Sequence, residues 1–163
     1  MASIWNTLYP GDDAGLLKEL LLEASLANEK LRTLPATGDW YKDAVVYSLY
    51  VDLFNKDFAG LTERLPYLED LGVTCLWLLP ILDSPMRDAG FDIRQYDRIR
   101  PSLFSLPDDA SDSLVLDLFR QFLDAAHSRG IRVIFDVAMN HSSEEHPWFR
   151  EARKSEDNPY RSY

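Results

Sequence analysis

The segment 131-IRVIFDVAMNH-141 carries two patterns that pull against each other. Ile131, Val133, Ile134, Phe135, Val137 and Ala138 form a nearly unbroken apolar run, as in a strand of a parallel sheet covered on both faces. Asp136 interrupts that run, and Asn140 and His141 close it. Two earlier segments, 45-VVYSLYV-51 and 74-TCLWLLP-80, read as strands of the same kind. Between the three strands lie 60-GLTERLPYLEDLG-72, a helix stopped by a glycine, and a second helix from about Ser111 to Arg129. The order is βαβαβ, the signature of a parallel α/β sheet.

Two architectures begin this way, an open doubly wound sheet and a (β/α)8 barrel. A dinucleotide-binding open sheet needs a glycine-rich turn after its first strand, yet residues 53–60 there hold one glycine, Gly60. A complete barrel takes about 250 residues, whereas 163 residues supply three strands. The barrel reading therefore expects an incomplete barrel with two unpaired sheet edges, which the remainder of a barrel or self-association would cover. Ahead of it, residues 12–34 place Leu16, Leu17, Leu20, Leu21, Ala24, Ala27 and Leu31 at helical spacing. Pro35 and the turn 36–39 end that helix, so residues 1–39 are expected to form an N-terminal extension and 40–163 the barrel part.

Bulk properties narrow the function. A net charge of −10 speaks against nucleic acid, whose binders cluster Lys and Arg, but not against a neutral ligand. Cys75, the single cysteine, has no partner for an internal disulfide and reads as a small buried side chain. The N-terminal stretch lacks the pattern of a signal peptide, and no run nears the roughly 18 apolar residues that span a bilayer. A cytoplasmic protein without a membrane segment is the expectation.

Reactive groups of parallel α/β folds collect at the carboxyl ends of the strands. An extended third strand turns Asp136, Ala138 and Asn140 to one side, with His141 just past its end. These three polar residues fit a ligand site; they equally fit a strand terminus in which Asp136 accepts hydrogen bonds from a loop. In 141-HSSEEHPWF-149, Ser142 and Glu145 have capping-box spacing and Pro147 suits a first helical turn. His141 and His146 lack the companions of a zinc site, and His127 reads as a surface residue at a favourable helix end.

The connection 81–110 groups Arg87, Asp88, Gly90, Phe91, Asp92, Arg94 and Tyr96, and structureless loops of this length are commonly functional. Phe91 offers a flat apolar face to a sugar ring, Asp88 accepts from hydroxyls, and Gly90 permits close backbone approach. The alternative is a loop folded over the strand ends by Phe91 and Tyr96, with its arginines in solvent.

Four segments in order, 40-WYKDAVVYSLYV-51, 61-LTERLPYLEDLGVTCLWLLPILDSP-85, 88-DAGFDIRQYDRIRP-101 and 130-GIRVIFDVAMNH-141, resemble the start of the catalytic barrel of the α-amylase family of glycoside hydrolases. Within that family the likeness is to trehalose synthases and oligo-α-glucosidases. The resemblance implies the first three βα units of a (β/α)8 TIM barrel acting on α-glucosyl disaccharides or oligosaccharides. It makes Asp136 a brace of the site, His141 a contact to the glucosyl unit, and Asp88 a holder of the non-reducing glucose. Phe91 stands where the family has a stacking Tyr, so the ring is kept and the hydroxyl lost. Asn140 stands where many members bind calcium, although no cofactor is required for the reaction. NKDFAG, after the first strand, departs from the family's DxNxDG calcium loop. The family's nucleophile and acid, which retaining cleavage needs about 5 Å apart, belong to its fourth and fifth strands. No residue here takes those roles, so the 163-residue chain by itself is expected to be inactive. Two other readings stay open, a non-catalytic carbohydrate-binding or regulatory module and an unrelated flavodoxin-like domain.

Overall fold

The computed structural model describes residues 18, 19, 21–23, 26 and 38–162. The first six of these are helical, inside the expected 12–34 helix; the rest of that helix lies outside the described residues. The chain divides into two compact units, with the main boundary between Lys42 and Asp43.

Three parallel strands, β1 (Val46–Leu49), β2 (Cys75–Leu78) and β5 (Arg132–Phe135), form one sheet in the order β1-β2-β5. Their register aligns Leu49 with Leu78 and Leu78 with Phe135. The second strand in sequence is central, whereas a flavodoxin-like sheet puts the first strand between the second and third. The flavodoxin-like alternative is thereby set aside.

All three strands are shorter than their apolar runs, and for β1 and β5 the difference has a local cause. Strand β1 stops at Leu49 because Val51–Asn55 form a short helix, α1. Helix α2 (Phe58–Asp70) follows at once, capped by Asp57, whose carboxylate accepts the Gly60 N–H at 2.8 Å. The expected turn at 53–60 is thus largely helical. Gly60 is needed there, since a Cβ would collide with the Asn55 carbonyl. Strand β5 ends at Phe135, short of the apolar run that continues to Ala138, because Asp136 makes the last rung, donating its N–H to the Leu78 carbonyl at 2.9 Å.

Helix α2 buries Phe58, Leu61, Leu65 and Leu68, one stripe at helical spacing. Its end follows the predicted glycine stop, with Gly72 at φ 85° and the Val73 N–H bonded to the Leu68 carbonyl. Helix α3 (Asp112–His127) is capped by Ser111 and buries Val115, Phe122 and Ala126. Both helices share one core with Leu49, Leu76 and Leu78. Because side chains alternate along a strand, the row Ser48, Trp77, Ile134 faces the opposite way. That face is open: Trp77 is 41% and Ile134 40% exposed. Cys75, free and on the same face, is fully buried.

The 81–110 connection has structure of its own. Strand β3 (Leu82–Asp83) pairs antiparallel with β4 (Gln95–Ile99), and a 3-10 turn spans Pro101–Phe104. Buried Ile81, Leu82, Ile93, Ile99 and Leu103 anchor this hairpin in the core.

Candidate functional site

The site is a meeting of two loops. One is the β3–β4 hairpin after β2, and the other is residues 136–146 after β5. The hairpin closes on an ion pair in which Arg94 reaches both Asp83 oxygens, Nε to Oδ2 at 2.6 Å and Nη2 to Oδ1 at 2.8 Å. Asp83 is only 3% exposed, so two parallel charge-assisted bonds compensate a buried carboxylate. The pair holds the Arg94 guanidinium well above its ordinary range, against the opposing effect of burial.

Inside the hairpin, the Asp92 carboxylate accepts from Ser84 Oγ at 2.7 Å and from the N–H groups of Arg87 and Asp88 at 3.2 Å each. Burial pushes its carboxyl up, but these hydrogen bonds outweigh burial and hold it below the usual carboxylate range. Gly90, at φ 93°, leaves 3.0 Å between an added Cβ and the Pro80 Cβ, so a side chain there would meet both strain and contact. Asp88 is exposed beside it, while Phe91 is half-buried with its ring against the core.

The second loop is bound to the first by hydrogen bonds, ion pairs and a ring contact. The Ser143 N–H donates to the Ile93 carbonyl at 2.9 Å. Glu145 accepts from Arg87 at 3.1 Å and from Arg94 at 3.4 Å, and Arg87 also pairs with Glu144. The Tyr96 hydroxyl lies 2.8 Å from the His141 carbonyl oxygen and 2.9 Å from that of Ala138. Burial pushes the Tyr96 hydroxyl up, which keeps it a donor. The Tyr96 ring also meets the His146 ring edge-on at 5.7 Å.

Asp136 is half-buried at the strand end, and Asn140 and His141 are exposed. No side-chain hydrogen bond joins any two of Asp88, Phe91, Asp136, Asn140 and His141. What the fold brings together is their two loops, at the carboxyl ends of β2 and β5. Two local expectations are corrected. Ser142 and Glu145 form no capping box, because helix α4 (Pro147–Ala152) starts later, with His146 Nδ1 accepting the Trp148 N–H at 3.2 Å. Nor are Arg87 and Arg94 merely solvated, since both hold Glu145.

Asp83, Ser84 and Glu145 are the members that sequence reading missed. Their signal was weak, for Asp83 is a single acid in an apolar context and its partner lies 11 positions away. Arg100 is a further surprise: it is 8% exposed, its Nη1 meets only the Met86 sulfur, and its Nε has no partner. Burial pulls the guanidinium down, opposed by the charges of Asp52 and Asp83. As for metals, no group of three or more His, Cys, Asp or Glu among the described residues is arranged to hold one. Asn140 offers a single amide oxygen, which is not a calcium site without ligands from elsewhere.

A parallel α/β sheet with an ordered polar cluster at its strand ends is the layout of an enzyme that binds at the carboxyl edge. A family model for the α-amylase catalytic domain matches residues 28–163, and the chain belongs to that family. Trehalose synthase/amylase TreS of Mycolicibacterium smegmatis is 46% identical over 136 residues, 79% of this chain and 21% of that protein. Oligo-1,6-glucosidase of Heyndrickxia coagulans is 41% identical over 132 residues, 77% of this chain and 22% of that one. The crystal structure of a mutant trehalose-6-phosphate hydrolase from Bacillus licheniformis superposes with a TM-score of 0.63 and 37% identity, over 75% of this chain and 21% of its own. The chain thus spans about a fifth of the length of the relatives it matches.

Proposed function

We propose that this chain supplies the first three βα units of a (β/α)8 barrel in a retaining enzyme that hydrolyses or transfers α-linked glucosyl units. The single observation that carries the reading is the clasp between the β3–β4 hairpin and the 136–146 loop, in a chain of this family. Asp88 and His141 stand exposed on the two clasped loops, where they accept and donate hydrogen bonds to sugar hydroxyls. Phe91 stacks beneath the ring, and Asp136 braces the strand end. Substrates of the class named by the relatives, α-glucosyl disaccharides and oligosaccharides, fit a site of this polarity.

Retaining cleavage proceeds through a covalent glucosyl-enzyme, for which a carboxylate nucleophile and a carboxylic acid flank the bond. In this reading both come from outside residues 1–163, carried by the strands that cover the open face of Trp77 and Ile134. In the same reading residues 40–163 belong to the barrel, and the family match reaches back to residue 28. No cofactor is needed, because carboxylates supply acid, base and nucleophile; a calcium at Asn140 would be structural. Among the described residues no helix is long and apolar enough to cross a membrane, and the free Cys75 suits a reducing cytoplasm.

The test is to isolate the native polypeptide with an antibody raised against this chain and follow trehalose, maltose and sucrose by proton NMR. The reading expects α-glucosyl products that keep the α configuration, and no turnover by the recombinant 163-residue chain. Turnover by the recombinant chain alone, or a β product first, would refute it.

A further inference from the structure

We propose that Tyr96 is the positioning residue for His141, holding the turn that presents its imidazole. The proposal rests on the reading of His141 as a sugar contact and adds to it the group that fixes the contact's geometry. Beyond Asp136 the 136–141 segment has left the sheet, so its carbonyls find no ladder partners. The Tyr96 hydroxyl supplies one donor to two of them, Ala138 and His141, at 2.9 and 2.8 Å. Residues 139 and 140 loop out between these points, with Met139 86% exposed. An exposed two-residue bulge pinned at both ends by a single hydroxyl takes its shape from that hydroxyl.

Tyr96 is itself well placed to act as a fixed post. It lies on β4, which pairs with β3 in a hairpin closed by the Arg94–Asp83 ion pair. Its ring rests edge-on against buried His146, and the neighbouring Ser143 N–H is tied to Ile93. The hairpin after the second strand thereby sets the orientation of a residue after the third. None of this involves Tyr96 touching the sugar.

Tyr96→Phe removes the hydroxyl and keeps the ring, so the packing on His146 survives. In the full 163-residue chain, the carbonyl 13C resonances of Ala138 and His141 are expected to shift. Maltose affinity, read by NMR titration, is expected to fall about tenfold, the size of one lost hydrogen bond, with the melting temperature nearly unchanged. His141→Ala in the Tyr96→Phe background should cost less than His141→Ala alone, because the imidazole is already misplaced. Unmoved carbonyl resonances, or losses that simply add, overturn the proposal. A wild-type chain that binds no maltose refutes the sugar-site reading instead, and the carbonyl shifts then decide the Tyr96 claim by themselves.

Discussion

Arg100 is a buried cation with a thioether for its nearest acceptor and an unpartnered Nε. Leaving such a donor dry costs about 1–3 kcal/mol, and replacing buried charge by a well-packed apolar side chain is commonly neutral or stabilising. Arg100→Met is therefore expected to raise the urea midpoint of the full chain; a lower midpoint would mean that the guanidinium has a compensating role. His146 gives a second case. Burial pulls its imidazole below the ordinary value of 6.5, and its Nδ1 caps helix α4 only when unprotonated. A depressed histidine favours the folded state while neutral, so its contribution is complete above pH 6.5 and is lost as pH falls through that value toward the folded pKa. Stability followed against pH should show this loss, and His146→Asn, which caps without titrating there, should remove it. An unchanged profile in the Asn variant would contradict the assignment.

At the scale of elements, the β3–β4 hairpin and the 136–146 loop stand or fall by the clasp. Arg94→Ala strips the partner from a carboxylate that is 3% exposed. The expected loss is about 2–3 kcal/mol, at the low end for a broken buried pair because Arg94 itself is partly exposed. Urea unfolding measures it, and Asp83→Leu combined with Arg94→Met should recover most of the loss. The same clasp explains what the sequence did and did not disclose. Helices α2 and α3 were legible because Leu61, Leu65 and Leu68, and Val115, Phe122 and Ala126, repeat at helical spacing. The hairpin was not, because a strand of two residues has no period to read and its register depends on a bond between Asp83 and Arg94. Strand β5 looked longer than it is because Val137 and Ala138 are apolar for burial outside the sheet, not for pairing within it. Asp88, Phe91, Asp136, Asn140 and His141 were visible as polar or aromatic residues in apolar or glycine-bearing contexts. Tyr96 and Glu145 were visible too, one as a loop aromatic and the other at capping-box spacing, but their part in holding the loops together rests on partners far away in sequence, which no local pattern discloses.

Across the whole molecule, the helices cover one face of the sheet and leave Ser48, Trp77 and Ile134 on the other. Strands β1 and β5 each have one neighbour among the described residues, so both edges are open to pairing. This is the arrangement expected of βα units that finish their core against further strands, and it agrees with a chain spanning about a fifth of its relatives. Under the proposed function two tasks are divided: gripping a glucosyl unit falls to the loops present here, and breaking its bond to carboxylates elsewhere. The most direct test of that division is an NMR titration of the full chain with maltose, observing the His141 imidazole and the Phe91 ring. Saturable shifts are expected at both residues and at Asp88, abolished by His141→Ala with Phe91→Ala, with no cleavage of the sugar. Shifts confined to other parts of the chain, or none at any attainable maltose concentration, would contradict it.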